Sequence, residues 1–402
     1  YDSLTTHISM LEDAKLHRKD IYTCYIDFKS AFNGTDHRLL FKFMQDLGLP
    51  RKYTKICEQI YGSSTTAYAT PYGLTQDLQI DRGTLQGDTL SPFIFTRFLE
   101  PLLRWLQIGS RGYTPHGMGK DTGHGIHMTY DDHGYADDIS ITTGDIDTLK
   151  VQLRNLYLFS EYTGLELEIP KCVVTGALWN KGNPMSAGNL RHLKQQIYTI
   201  NITDRADVQL KYMAPNESYK VLGVHLNPLL NFKDHYDHIT AEVRKLAQAL
   251  KRTPLSPNRK LLIVEQLLQS KYHAVHLGVF NRAQLTYIDK ILNSCIRNAH
   301  GLTYSFPTEA ILKNPQEYGL GKNSILMRAM QMTLEQLVTM LNKPSVRGHL
   351  LHGHIKLLTH KYRYIPSQSL EHHTVQLPSL RILQYINQMN LTLEGIQIQP
   401  FA

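Results

Sequence analysis

The tract GYADDISI, residues 134–141, sets two adjacent aspartates, Asp137 and Asp138, inside an alternating apolar run. Tyr135 and Ala136 precede them and Ile139 and Ile141 follow, and a period of two marks a half-buried strand. Charge in such a strand costs free energy unless something pairs with it. A second tract, YIDFKSAF at residues 25–32, has the same make-up, with Asp27 between Ile26 and Phe28. Carboxylates on two strand ends that converge would repel, and their pKa values would rise. Mg²⁺ resolves such a conflict, because it takes carboxylate oxygens and completes its shell with substrate phosphates and water. Two such ions about 3.5–4 Å apart clamp the attacking and leaving oxygens of a phosphoryl transfer. The three carboxylates are therefore expected at one edge of an antiparallel sheet.

Composition narrows the class. The 402 residues are enough for two or three domains, and 42% hydrophobic with 19% charged residues is the balance of a core-forming chain. A net charge of +8 favours a polyanionic partner, nucleic acid first and an anionic membrane surface second. Cys24, Cys57, Cys172 and Cys295 are scattered without a C-x-x-C, so neither a disulfide framework nor a zinc knuckle is expected, and the compartment reads as reducing. His116, His124, His127 and His133 cluster at a spacing that matches no metal motif and read as loop. No apolar run approaches the ~20 residues of a transmembrane helix. The chain opens on Tyr1 with no signal peptide, and it is expected to be a fragment of a longer protein.

Residues 3–19 read as a helix, and 21–32 as a β-rich run that turns at NGTD. Thr35 or Asp36 is placed to cap the helix HRLLFKFMQDL, which Gly48 and Pro50 end. A further helix runs to about Tyr61, and a strand pair turns at Pro71-Tyr72-Gly73. Asp88 or Thr89 is expected to cap a helix through SPFIFTRFLEPLLRWL. Strands flank YADD, and an amphipathic helix then ends at Gly164. LELEIPKCVVTGALW and YKVLGVHLN each read as one strand. Beyond about residue 230 three amphipathic helices follow in a row, with Leu246, Leu250, Leu262, Leu267 and Ile291 expected to be buried. The class is α+β up to about 228, then all-α.

A third segment, RGTLQGDTLSPFIF at 82–95, is a glycine-punctuated loop entering a helix at Pro92. Gly83 and Gly87 permit close backbone approach, and Gln86 between them is an amide donor and acceptor. In order, YIDFKSAF, RGTLQGDTLSPFIF, YADD, LEIPKC and YKVLGVHL resemble motifs A to E of reverse transcriptases. The flavour is that of non-LTR (LINE-type) retrotransposons, with AFNGTDH and QGDTLSP similar to that group's patterns.

The resemblance implies a right-hand polymerase palm, an antiparallel sheet with helices, over 1–228, with part of the fingers. A helical thumb over 229–302 and a helical C-terminal extension over 303–402 would follow. It implies an RNA-directed DNA polymerase that extends a DNA primer on an RNA template with dNTPs, using two Mg²⁺ ions, with Mn²⁺ as the alternative. Asp27 and Asp137 would be the principal metal ligands and Asp138 the third carboxylate. The Phe28 carbonyl would reach the nucleotide-bound metal. Phe32 stands at the steric gate that excludes a ribose 2′-OH, or else is a core aromatic. Gln86 and Gly87 would contact the incoming nucleotide and the template. Lys171 would protonate or neutralise leaving pyrophosphate, and YKVLGVHL would grip the primer. The chain departs from the pattern at Asn33, where the group has Asp. Fingers motifs that hold the triphosphate are missing, so the fragment is expected to be inactive alone. A decayed or domesticated RNA-binding scaffold is the alternative, and a viral RNA-directed RNA polymerase a third reading, disfavoured by Phe32 and by YADD. No membrane association is expected, and the setting is intracellular, with the nucleus one option.

Overall fold

The structure is a computed structural model, and it describes residues 2–85, 87–107, 112–116, 132–135, 138–180, 183–184, 187–198, 209–271, 280–342, 350–351, 353–354 and 378–379. The chain divides into two compact units, one of residues 17–215 and one of residues 1–16 with 216–402.

The first unit is built around β1 (Ile21–Ile26), whose six residues are all buried. A strand of β-branched, aromatic and small residues with no polar face needs cover on both sides and partners on both edges. In chain order there follow α2 (His37–Asp46), α3 (Arg51–Gly62), the short strands β2 (Thr65–Thr66), β3 (Ala69–Thr70), β4 (Gly73–Leu74) and β5 (Leu78–Gln79), and α4 (Ser91–Gln107). The rest is β6 (Asp132–Tyr135), β7 (Asp138–Thr143), α5 (Ile146–Thr163), β8 (Val173–Ala177), β9 (Trp179–Asn180), β10 (Asn183–Pro184), α6 (Ala187–Tyr198) and β11 (Lys211–Tyr212). The main sheet runs β11-β8-β1-β7-β6. β7 and β8 flank β1 antiparallel, and β6 pairs antiparallel with β7. β11 lies parallel to β8, so the sheet is mixed at that edge rather than wholly antiparallel.

One face of the sheet, with Cys24, Ile26, Ile139, Ile141 and Val174, packs on the apolar stripes of α2, α4 and α5. Phe43, Phe98 and Phe159 join there, with ring centroids 5.6 Å apart for Phe43–Phe98 and 6.3 Å for Phe43–Phe159. Side-chain alternation sends Tyr25 and Asp27 to the opposite face. Helix ends follow the sequence closely. Asp36 caps α2 by accepting from the N–H groups of Arg38 and Leu39, and Asp145 caps α5 through Thr148 N–H. Gly164 ends α5 at φ 72°, a left-handed conformation.

The second unit holds α1 (Asp2–His17) up to residue 16, then a hairpin of β12 (Tyr219–Val221) and β13 (Val224–Leu226). The helices α7 (Lys233–Arg252), α8 (Pro257–Lys271), α9 (Arg282–Ala299), α10 (Thr308–Leu312) and α11 (Ile325–Asn342) follow. YKVLGVHL is thus two strands rather than one, reversed at Leu222 and Gly223 with φ 46° and 85°. Positive φ at both central residues is the two-residue turn that matches strand twist. α9 is the hub, packing on α7, α8, α10 and α11. Of the leucines and isoleucine expected inside, Leu250 is buried, Leu246 and Ile291 are half-buried, and Leu262 is exposed at 55%; the Leu267 side chain lies outside the described residues. Among the described side chains of α8 Val264 is the fully buried one, about half a turn round the helix from Leu262.

Candidate active site

Asp27 follows the last residue of β1 and is bracketed by two partners. On one edge, Ile26 stands opposite Ile139, and one step further the register brings Asp27 level with position 138 at the head of β7. β6 returns to this point, with Tyr135 opposite Asp138. Asp137, the Asp138 side chain and Gln86 lie outside the described residues.

On the other edge, Phe28 bridges Leu167, flanked by the bonds from Lys29 N–H to the Glu166 carbonyl and from Glu168 N–H to the Asp27 carbonyl. In an antiparallel ladder that pattern makes Phe28 and Leu167 a non-hydrogen-bonded pair, so the Phe28 N–H and carbonyl turn towards the β7 side. The stretch before Val173 is a turn rather than the strand the sequence suggested. The N–H groups of Lys171 and Cys172 both bond back to the Glu168 carbonyl, and Pro170 has no N–H to offer a ladder. That turn brings the Lys171 ammonium within 3.1 Å of Asp27 Oδ2. The hydrogen bond that Lys171 donates to Asp27, and then the charge of that carboxylate, raise the Lys171 pKa above the ordinary lysine value. The Asp27 side chain is 26% exposed, open enough to take further ligands.

The loop at 82–87 is zipped to the segment after β1. Gly83 N–H bonds to the Thr35 carbonyl at 2.8 Å and Thr84 N–H to the Phe32 carbonyl at 2.9 Å. His37 Nε2 lies 2.7 Å from the Gly83 carbonyl. Gly83 sits at φ 94° with Asn33 Cα 3.2 Å from where a Cβ would be, so both conformation and space demand glycine there. Arg82 lies 3.7 Å from Asp36 Oδ2 and reaches the end of α5 at Gly164. Sequence reasoning read Asp36 only as a cap and missed this pairing, since TDH at 35–37 and DRG at 81–83 lie far apart in the chain and meet only through the Asp36–Arg82 bridge. Gly87 has φ 89° and is exposed. Asp88 accepts from Leu90 N–H just ahead of α4. Phe32 is half-buried and stacks on Phe95, ring centroids 4.4 Å apart. Of the histidine cluster, His116 stacks on His17 at 3.9 Å, while His124 and His127 and the His133 side chain lie outside the described residues.

Asp27 at the end of β1 thus lies beside the paired strands β6 and β7, with Lys171 against it and residues 83–84 zipped alongside. Residues 2–226 match the family model described as reverse transcriptase (RNA-dependent DNA polymerase), and the chain belongs to that family. It is 23% identical over 337 residues to the retrovirus-related Pol polyprotein from type-2 retrotransposable element R2DM of Drosophila melanogaster, covering 84% of this chain and 30% of that polyprotein. It is 23% identical over 320 residues to the Pol polyprotein from the R2 element of Nasonia vitripennis, covering 78% and 28%. The chain is thus a distant relative of R2 non-LTR retrotransposon proteins and spans less than a third of the length of these two polyproteins. Among solved structures it is similar to telomerase from Candida albicans (12% identical, 91% of this chain and 51% of that one, TM-score 0.41). Apo telomerase from Candida tropicalis is similar at 12% identity, over 95% and 57% of the two chains, with TM-score 0.39. No described helix is long and apolar enough to cross a membrane.

Proposed function

We propose that residues 17–215 form a polymerase palm, and that the chain is the polymerising part of a retroelement reverse transcriptase. It would extend a DNA primer on an RNA template with dNTPs. The observation that carries the reading is the ladder register that sets Asp27 level with position 138, beside Asp137 in the chain. The donors there are hard oxygens, the Asp27 carboxylate and the Phe28 carbonyl turned to the same edge, and they suit Mg²⁺ or Mn²⁺. Asp27, Asp137 and Asp138 would hold two such ions, which would supply positive charge for phosphoryl transfer.

The chain's own residues supply the rest. Lys171 carries its proton at Nζ at neutral pH, as any lysine does, lies within 3.1 Å of Asp27 Oδ2, and would offer that proton to the pyrophosphate. Gln86 and Gly87 line the incoming nucleotide and the template, and Phe32 stands against its sugar. The β12–β13 hairpin grips the primer, and α7, α8 and α9 serve as thumb, with the helices beyond as an extension. The test is RNA-templated primer extension, by this chain and by a longer form that carries the upstream triphosphate-binding motifs. Asp27→Asn is expected to abolish extension while leaving the melting curve in place. Lys171→Ala is expected to slow it by about 10²–10⁴-fold, the usual worth of a positioned acid. Wild-type extension by the Asp27→Asn form would overturn the reading.

A further inference from the structure

A wall that strongly rejects a single hydroxyl has to be rigid, and the segment that carries Phe32 is not rigid by itself. Residues Ala31–Gly34 form one 3₁₀ turn, entered from Ser30 at φ 50° with no side-chain cap. Such turns have poor hydrogen-bond geometry. The Phe32 ring is held on one side by its stack on Phe95. Its backbone is held from across the chain, where Thr84 N–H donates to the Phe32 carbonyl at 2.9 Å.

Thr84 N–H shares one peptide plane with the Gly83 carbonyl, and in a trans peptide the two point in opposite directions. Whatever fixes that carbonyl therefore aims the N–H at Phe32. Gly83 cannot fix it alone, because a glycine at φ 94° has wide freedom to turn. His37 supplies the hold. Its Nε2 lies 2.7 Å from the Gly83 carbonyl, closer than the backbone bonds on either side at 2.8 and 2.9 Å. A carbonyl only accepts, so Nε2 carries the proton in this bond. The ring is itself well fixed, buried at the start of α2 and edge-on to Tyr61 with centroids 5.0 Å apart. Gly83 is buried too, so little water is at hand to replace a lost donor.

We propose that His37 is a positioning residue for sugar selection. It acts through the Gly83–Thr84 peptide on the backbone of Phe32, and so keeps that ring in place against the sugar of the incoming nucleotide. The inference rests on the polymerase reading and on Phe32 as its sugar gate.

The test measures the dNTP over rNTP ratio of kcat/KM, in whichever form of the protein extends a primer. Wild type, His37→Phe and His37→Gln are compared, each with Phe32 intact and with Phe32→Ala. Phenylalanine keeps a ring beside Tyr61 but has no donor, whereas glutamine can return an N–H to the same carbonyl. His37→Phe is expected to lower the ratio by about tenfold, the worth of one buried hydrogen bond, and His37→Gln to restore most of it. With Phe32→Ala in place, His37→Phe should change the ratio no further, because residues that act through one contact are not additive. A merely structural role would lower kcat/KM for both sugars alike and leave the ratio where it was. A second readout needs no turnover: amide exchange at Thr84, in protein free of nucleotide, should quicken in His37→Phe. Should that variant fail to fold, His37→Asn, polar but too short to reach Gly83, takes its place. No extension by wild type would sink the polymerase reading and this inference with it. A ratio that falls in Phe32→Ala but holds in His37→Phe, or unchanged exchange at Thr84, overturns this inference alone.

Discussion

Pro170 decides where the Lys171 ammonium lies. Without an N–H it ends any ladder, the chain turns on the Glu168 carbonyl, and the lysine swings back to Asp27. Phe32 is a residue with two duties. Its stack on Phe95 makes it part of the core, and its position five residues after Asp27 makes it the proposed wall against the sugar. An apolar pocket rejects an added hydroxyl weakly, by about 10²-fold, so strong exclusion of rNTPs needs a rigid surface. In an active form, Phe32→Ala should lower the dNTP over rNTP ratio of kcat/KM by at least about tenfold while leaving the metal requirement intact. An unchanged ratio would return Phe32 to the core alone. Single residues were legible where their neighbours forced them: Asp27, flanked by Ile26 and Phe28, had to lie at a strand or its end. Leu262 was not, because LLIV offers four adjacent apolar positions and only packing against α9 selects Val264 as the inward one.

Elements were legible where a cap or a period announced them, as at Asp36 and Gly164. They were not where a bond crossed the chain. The β12–β13 turn places Leu222 at φ 46°, a conformation a bulky residue rarely adopts, so nothing local advertised it. The start of α11 is a similar case. Its first N–H groups are served from another helix: Asp289 of α9 accepts from Ile325 and Leu326 N–H and from the Ser324 hydroxyl. The same carboxylate holds Lys322 at 2.9 Å, and that side chain is 0% exposed. Asp289→Ala would strand a buried ammonium and uncap a helix together, at a cost of about 3–5 kcal/mol. A lowered thermal midpoint and faster amide exchange at Ile325 and Leu326 are the expected outcome. An unchanged midpoint would mean that the cap contributes nothing to stability.

At the scale of the molecule, the two ends of the described chain meet in one unit. Glu12 accepts from Ser379 N–H at 2.9 Å and from its hydroxyl at 2.7 Å. His354 stands between Glu12 and Asp13, a ring nitrogen 3.6 Å from each. Burial works against charge on this histidine, yet the two carboxylates outweigh it and lift its pKa to about 9. Its contribution to stability is therefore complete below pH 6.5 and is lost as pH rises through about 9. The unfolding free energy from denaturant titrations should fall across that window, by at most about 3–4 kcal/mol, and His354→Gln should flatten the dependence. Equal pH profiles for the two proteins would refute this. The sheet of the other unit carries a consequence for synthesis. β1 leaves the ribosome before either strand that flanks it, and both lie more than a hundred positions later in the chain. At about 5–20 residues per second those partners arrive on the order of ten seconds afterwards. For that interval the most apolar strand of the unit has two open edges, each a template on which a second nascent chain can pair. A ribosome-bound chaperone that shields the segment around Tyr22 to Ile26 until β8 emerges would serve this protein more than one acting after release.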